Sequence, residues 1–159
     1  NPQFFGTWTS TDPDFFKLGK GVIKDRLAIQ FPGGVPSDKS PGMKLMQVLR
    51  ERYRTVDRFD AAYWEGVSVA MIMERAFIRA QEKYKTINPE TINRAMESFR
   101  NENFGGLIPA VTYTPKDHGA SFTARIVRVG EDGSFTPLTN FYVPGKEKIK
   151  ILSGKSKIR

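Results

Sequence analysis

Residues 59–84 read FDAAYWEGVSVAMIMERAFIRAQEKY, and the fold turns on this stretch. Small and apolar residues recur at Ala62, Gly66, Val69, Met73, Phe77, Ala80 and Tyr84, spaced 4, 3, 4, 4, 3 and 4, the repeat of one face of an α-helix. A second apolar row at Trp64, Val67, Met71 and Ile78 widens the arc, while Arg75, Arg79, Glu82 and Lys83 leave a narrow polar strip toward the C-terminal end. The spacing predicts a long, mostly covered helix buried along the first row. Asp57 reads as its N-cap with Asp60 three residues on, and Ala61, Ala62 and Gly66 are small enough to let another backbone approach the first two turns. The helix start is therefore where a site is expected, against the simpler reading of Phe59, Tyr63 and Trp64 as core.

Outward from this helix, its neighbours carry clear start signals. Downstream, Asn88 caps and Pro89 begins a helix with Ile92, Ala95, Met96 and Phe99 on one face. Upstream, Ser40 and Pro41 start another, with Leu45, Met46, Leu49 and Tyr53 apolar and Lys44, Arg50, Glu51 and Arg54 toward solvent. Pro32, Gly33, Gly34, Val35 and Pro36 form the sharpest break in the chain. Before the break come a strand over residues 3–8, QFFGTW, a polar loop, a short helix begun by Asp12 and Pro13, and a second strand, LAIQF.

The last third changes character. Residues 107–114 are strand-like, PKDHG is a turn, residues 122–129 alternate, and Gly130-Glu131-Asp132-Gly133 is a hairpin signal leading to Ser134 and Phe135. Strand, helix, strand, helices and a β-rich close predict an α/β fold, a mostly parallel sheet with helices on its faces and antiparallel strands at the end.

Composition narrows the function. At 159 residues and 39% hydrophobic content the chain can bury a core of one domain, and no apolar run approaches the ~20 residues that span a bilayer. The net charge of +8 is uneven: residues 145–159 carry +5, leaving +3 for the rest, so the excess is a basic tail. No helix-turn-helix or zinc-finger spacing and no interleaving of aromatic and basic residues points to nucleic acid. Zero cysteines exclude disulfides and thiolate metal sites.

Enzyme chemistry finds little support. The single histidine, His118, lies in a turn with Asp117 and has no nucleophile beside it. GKGVIKD lacks the glycine spacing of a phosphate loop, and the carboxylates at Asp12, Asp14, Asp57 and Asp60 are scattered without metal-ligand spacing. The expectation is no enzyme, no metal and no cofactor.

QFFGTWTSTDPDFFKLGKGVIKD, a strand and a proline break, the FDAAYWEGVSVAMIMERAF helix, NPETINRAMESF, and FGGLIPAVTYTPKDHGASFTARIVRVGEDGSFTPL follow in an order that resembles the C-terminal part of type I periplasmic solute-binding proteins. More narrowly, it is similar to the branched-chain amino acid receptors of ABC importers. The resemblance covers nearly all of residues 1–144, and residues 105–138 are its most specific piece.

That resemblance implies a three-layer, two-lobed fold closing on a small ligand, of which only part is present here. Residues 1–31 would belong to the C-terminal lobe, 32–118 to the N-terminal lobe, and 119–144 would return to the C-terminal lobe, with 145–159 a basic tail. Candidate ligand-binding residues are Trp8, Thr9 and Ser10 in the loop after the first strand, and Phe59, Asp60 and Tyr63 at the start of the long helix. The implied partners are an amino acid or related solute, the membrane permease of an ABC transporter, and the remaining N-terminal part of the same protein. The implied location is periplasmic or extracellular. One departure stands out: these receptors often place an acid, to pair with the ligand's ammonium group, in the loop where this chain has Thr7-Trp8-Thr9, and Trp8 stacks on an apolar or aromatic ligand or on a cation but makes no ion pair. A ligand-sensing domain of a receptor or regulator would use the same fold.

Overall fold

The structure, a computed structural model, describes residues 3–11, 13–19, 21–53, 59–121 and 123–143. Strand β1 (Phe4–Thr7) leads through a 3-10 turn, Trp8–Thr11, and helix α1 (Pro13–Leu18) to β2 (Leu27–Phe31). Three helices follow, α2 (Pro41–Tyr53), α3 (Ala61–Tyr84) and α4 (Pro89–Met96), and then β3 (Arg125–Val129) and β4 (Phe135–Pro137). The strands form one sheet in the order β1-β2-β3-β4. β1 runs parallel to β2, Phe4 opposite Leu27, whereas β2 and β3 are antiparallel, Leu27 opposite Val129, as are β3 and β4. The α/β class stands. Its sheet is mixed, and among the described strands the parallel pairing is confined to β1 and β2, because β3 returns beside β2 and then folds back through a hairpin.

Local chemistry explains the boundaries. Asn88 Oδ1 accepts from Thr91 N–H at 2.9 Å while Thr91 Oγ1 accepts from Asn88 N–H at 3.0 Å, a reciprocal cap with Pro89 at the first helical position. The hairpin between β3 and β4 closes through Gly130 N–H to Ser134 O at 2.9 Å, with Asp132 Oδ1 accepting from Ser134 N–H at 2.8 Å. Asp57 and the basic tail lie outside the described residues. The residue that caps α3 is Asp60, whose Oδ1 accepts from Ala62 N–H at 2.7 Å and Tyr63 N–H at 3.0 Å.

Two apolar clusters hold the chain. The larger joins Leu27, Ile29 and Phe31 of β2 with Val127 and Val129 of β3, Phe135 of β4, Met43 and Met46 of α2, and Ala61 and Trp64 of α3. The smaller gathers Ala76 of α3 with Phe99, Phe104 and Val111.

Two expectations are corrected. α3 buries Ala61, Trp64, Ser68, Ala76 and Ala80, not the full row from Ala62 to Tyr84. Along that row Ala62, Gly66, Val69 and Phe77 are exposed, Val69 at 53% and Phe77 at 38%. Apolar residues lie almost all round this helix, so spacing alone does not choose the inner face. The neighbours choose it: Trp64 settles over the Gly33–Gly34 break and the later turns pack on α4. Residues 107–114 are not a strand. Pro109 has no N–H to give a ladder, and the pairing there reduces to a bridge between Glu102 and Val111 and another between Thr114 and Asp117.

Candidate functional site

An open cavity of about 230 Å³ lies where the turn after β1, the first half of α3 and residues 108–123 meet. An engineered cavity of about 150 Å³ already admits benzene, so there is room for a ring or a branched aliphatic group. From α3 come Trp64, Glu65, Ser68, Val69 and Ile72. Residues 65, 68, 69 and 72 are spaced i, i+3, i+4 and i+7, one face of the helix. Trp8 and Pro32 close one side, and Ile108, Pro109, Val111, Ala120, Ser121 and Thr123 the other.

The tryptophans are placed by different means. Trp64 is buried because its indole N–H finds a partner, donating to Leu107 O at 3.0 Å, while its ring packs 4.9 Å from that of Phe31. Leu107 O also accepts from Gly34 N–H at 2.8 Å, so one carbonyl ties the proline-glycine break, α3 and the loop after α4 together. The 3-10 turn carrying Trp8 is closed by Thr11 Oγ1 donating to Trp8 O at 2.8 Å. Trp8 is half-buried against the larger core.

The walls are mostly apolar, and their polar groups are partly engaged. Ser68 Oγ donates to Trp64 O at 2.7 Å, leaving its oxygen as an acceptor. Ser121 Oγ accepts from Thr123 N–H at 3.1 Å. Among the described residues no three His, Asp or Glu side chains converge as a metal site. His118 Nε2 lies 3.1 Å from Glu97 Oε1, and His118 does not line this cavity.

Of the six residues singled out from the sequence, Trp8 lines this cavity. Thr9 is exposed, its Oγ1 2.7 Å from Thr7 Oγ1, and Ser10 is half-buried with its hydroxyl close over Gly6. Phe59 is 7% exposed, stacked edge-on against Phe135 at 4.7 Å, and borders a separate cavity of about 60 Å³ beside α2. Asp60 is occupied in capping, and Tyr63 is half-buried against the larger core. Trp64, Glu65, Ser68 and Ile72 were not singled out as site residues. The readable signal was a serine and a glutamate on the helical face between Trp64 and Ile72, in a stretch otherwise apolar.

The fold is that of the type I periplasmic binding proteins, in part. A branched-chain amino acid ABC transporter structure from Thermus thermophilus with bound valine superposes with a TM-score of 0.76 at 21% identity, over 94% of this chain and 41% of that one. A fatty acid ABC transporter substrate-binding protein from Thermomonospora curvata gives 0.76 at 21% identity, over 92% and 38%. A possible leucine/isoleucine/valine-binding protein from Rhodopirellula baltica gives 0.66 at 21%, over 87% and 36%. The chain thus spans about two-fifths of the length of the structures it matches. The first two are ABC transporter proteins, the second of them a substrate-binding protein. No protein-family model and no curated protein sequence matches the chain.

Proposed function

We propose that the chain is the C-terminal part of an extracytoplasmic solute-binding protein that holds a small, largely apolar organic molecule and delivers it to the membrane permease of an ABC importer. The observation that carries this reading is the open apolar cavity walled by Trp8, Trp64 and one face of α3, in a fold shared with substrate-binding proteins of such transporters. A largely preformed apolar cleft with a few polar groups is what a small-molecule site requires.

In this reading residues 1–31 and 119–144 belong to one lobe and 32–118 to the other. In support of the division, the fully buried residues of the smaller core, Ala76, Phe99, Phe104 and Val111, all fall within 32–118, although Ala120 packs at its edge and the larger core joins residues of both divisions. The remaining N-terminal part supplies the facing wall of the cleft, and the site of action is periplasmic or extracellular, lipid-anchored or free. Thr9, Ser10, Asp60 and Tyr63 serve as supports around the cleft; Trp8 touches the ligand.

The test is titration of the full-length protein with valine, leucine, phenylalanine and octanoate, followed by calorimetry and by tryptophan fluorescence. Saturable binding without turnover is expected for at least one of them, weakened tenfold or more by Trp8→Ala, a larger loss than the lowered melting temperature of that variant accounts for. Equal affinity in Trp8→Ala would remove this cavity from the binding site.

A further inference from the structure

The net charge of the chain is concentrated in two places. Residues 39–53 carry Lys39, Lys44, Arg50 and Arg52 against Glu51, which is +3, and with the +5 of residues 145–159 this accounts for the whole +8. The four cations make no ion pair among the described residues, where Asp14, Asp38, Glu97 and Glu102 are taken by other partners. Glu51 itself is held by Gln47, whose Nε2 donates to its Oε1 at 2.8 Å.

These cations surround apolar surface. α2 turns Gly42, Met43 and Met46 inward, while Leu45 and Val48, spaced i, i+3 with Arg52 at i+7, are 42% and 55% exposed on its outer side. Beside this stripe opens the notch of about 60 Å³ between α2 and Phe59. Buried Met43, Met46 and Phe59 floor it, with Lys44 exposed and Arg50 half-buried at its mouth. Asp38 borders it too, but its carboxylate is paired with Arg125, so the charge facing outward is positive. The notch shares no lining residue with the larger cavity beside α3.

Its size and surroundings select an occupant. The notch is less than half the about 150 Å³ that admits benzene, which is room for the tip of one aliphatic side chain. Unpaired cations around a side-chain-sized apolar hole complement a peptide in which an aliphatic residue is flanked by acids. An anionic bilayer fits less well, because Glu51 shares the outward face of Val48 at i, i+3 and would be carried against the headgroups. We propose that the outer face of α2 is a docking surface for an acidic segment of a partner protein, which seats an aliphatic side chain in the notch and lays its carboxylates against Lys44, Arg50 and Arg52. This surface is separate from the ligand cleft and stands whether or not the solute-binding reading holds.

The experiment follows fluorescence anisotropy of three labelled peptides mixed with the full-length protein: a short run of glutamates around a central valine, the same run with glycine for valine, and the valine peptide with glutamines for glutamates. The acidic valine peptide is expected to bind saturably, the glycine peptide several-fold more weakly, and the glutamine peptide not at all. Lys44→Gln with Arg50→Gln should weaken the acidic valine peptide tenfold or more, and Lys44→Gln alone, at an exposed site, should weaken it in part at an unchanged melting temperature. Lys148→Gln with Lys150→Gln should leave it unchanged. Equal affinity in the α2 variants, a loss confined to the 148 and 150 variant, or no binding to the wild-type protein overturns the proposal. So does co-sedimentation with vesicles of phosphatidylglycerol and phosphatidylcholine that the α2 variants abolish while no peptide binds, which would make the face a lipid-binding one.

Discussion

The Trp64 ring lies so close over Gly33 that a Cβ on Gly33 would stand 2.0 Å from Trp64 Cζ2 and 2.8 Å from Leu107 O. One obstacle is a side chain pinned by its own hydrogen bond, and the other is backbone, so neither yields cheaply. The break after β2 carries glycine here because α3 needs the space. Gly33→Ala is expected to cost about 1–3 kcal/mol by overpacking, read as a lower denaturant midpoint at unchanged slope. A midpoint equal to wild type would mean that Trp64 has an alternative seat.

Val69 borders the cavity yet is 53% exposed, so a larger side chain there enters the cleft without disturbing a buried contact. Val69→Trp should fill the cavity and lower ligand affinity tenfold or more, with stability within about 0.5 kcal/mol of wild type, as expected for an exposed site. Calorimetric titration together with thermal melting separates this from general unfolding. Undiminished binding would place the ligand elsewhere.

What the sequence discloses and what it withholds can be seen residue by residue. The starts of α2 and α4 were legible because Pro41, Asn88 and Pro89 act locally on their own backbone, and the 130–134 hairpin because Gly133, at φ +80°, is where the turn needs it. The inner face of α3 was not legible, since two apolar rows compete and the choice is made by Gly33, Gly34 and α4. The loop over 107–114 alternates like a strand, but Leu107 O is used by Trp64 and Gly34 instead of a ladder. The cavity was half legible. Trp8 follows a strand end, where clefts form, while its partners at Glu65, Ile108 and Thr123 are brought to it by tertiary packing alone.

Glu102 joins α3 to the segment after α4, its two oxygens taken by Arg75 and Arg79. Burial alone would raise its pKa, but the Arg79 and Arg75 guanidiniums outweigh burial and hold it below the ordinary 4.5. A carboxyl whose folded pKa is depressed stabilises the fold fully above its unfolded value, and that contribution disappears as pH falls through the folded value. Glu102→Gln should therefore cost about 1–2 kcal/mol at neutral pH, and the difference from wild type should shrink below about pH 4.5. A difference constant from pH 7 to pH 3 would rule out the ion pairs as its source.

Arg125, the first residue of β3, is buried and pairs through both terminal nitrogens with Asp38, which lies in the turn before α2. Asp38 also accepts from Val35 N–H at 2.9 Å, and the Arg125 guanidinium stacks 4.7 Å over the Phe141 ring. Its Nε has no hydrogen-bond partner, so the charge rests on Asp38. Removing one member strands the other: Asp38→Ala is expected to cost about 3 kcal/mol, and Asp38→Ala with Arg125→Met distinctly less. Additive losses in the double variant, read from urea unfolding, would show that the two act independently.

The outward face of α3 and the free edge of the sheet bear on whether this stretch of chain stands alone. Phe77 and Ile78 are 38% and 46% exposed on the helix, and Phe5 is 71% exposed on β1, which pairs only with β2 among the described strands. An exposed edge strand and a helix apolar on its outer side both present surfaces that water disfavours and other chains cover. The structures sharing the fold are more than twice as long, and in the proposed reading the additional chain covers these surfaces. Expressed by themselves, the 159 residues should therefore self-associate or unfold without a cooperative transition, whereas the full-length protein should be monomeric and melt cooperatively. Sedimentation velocity and urea unfolding make the comparison. A monomeric, cooperatively folded 159-residue chain would show that it covers its own apolar surface, and would overturn the assignment of its segments to two lobes of a larger protein.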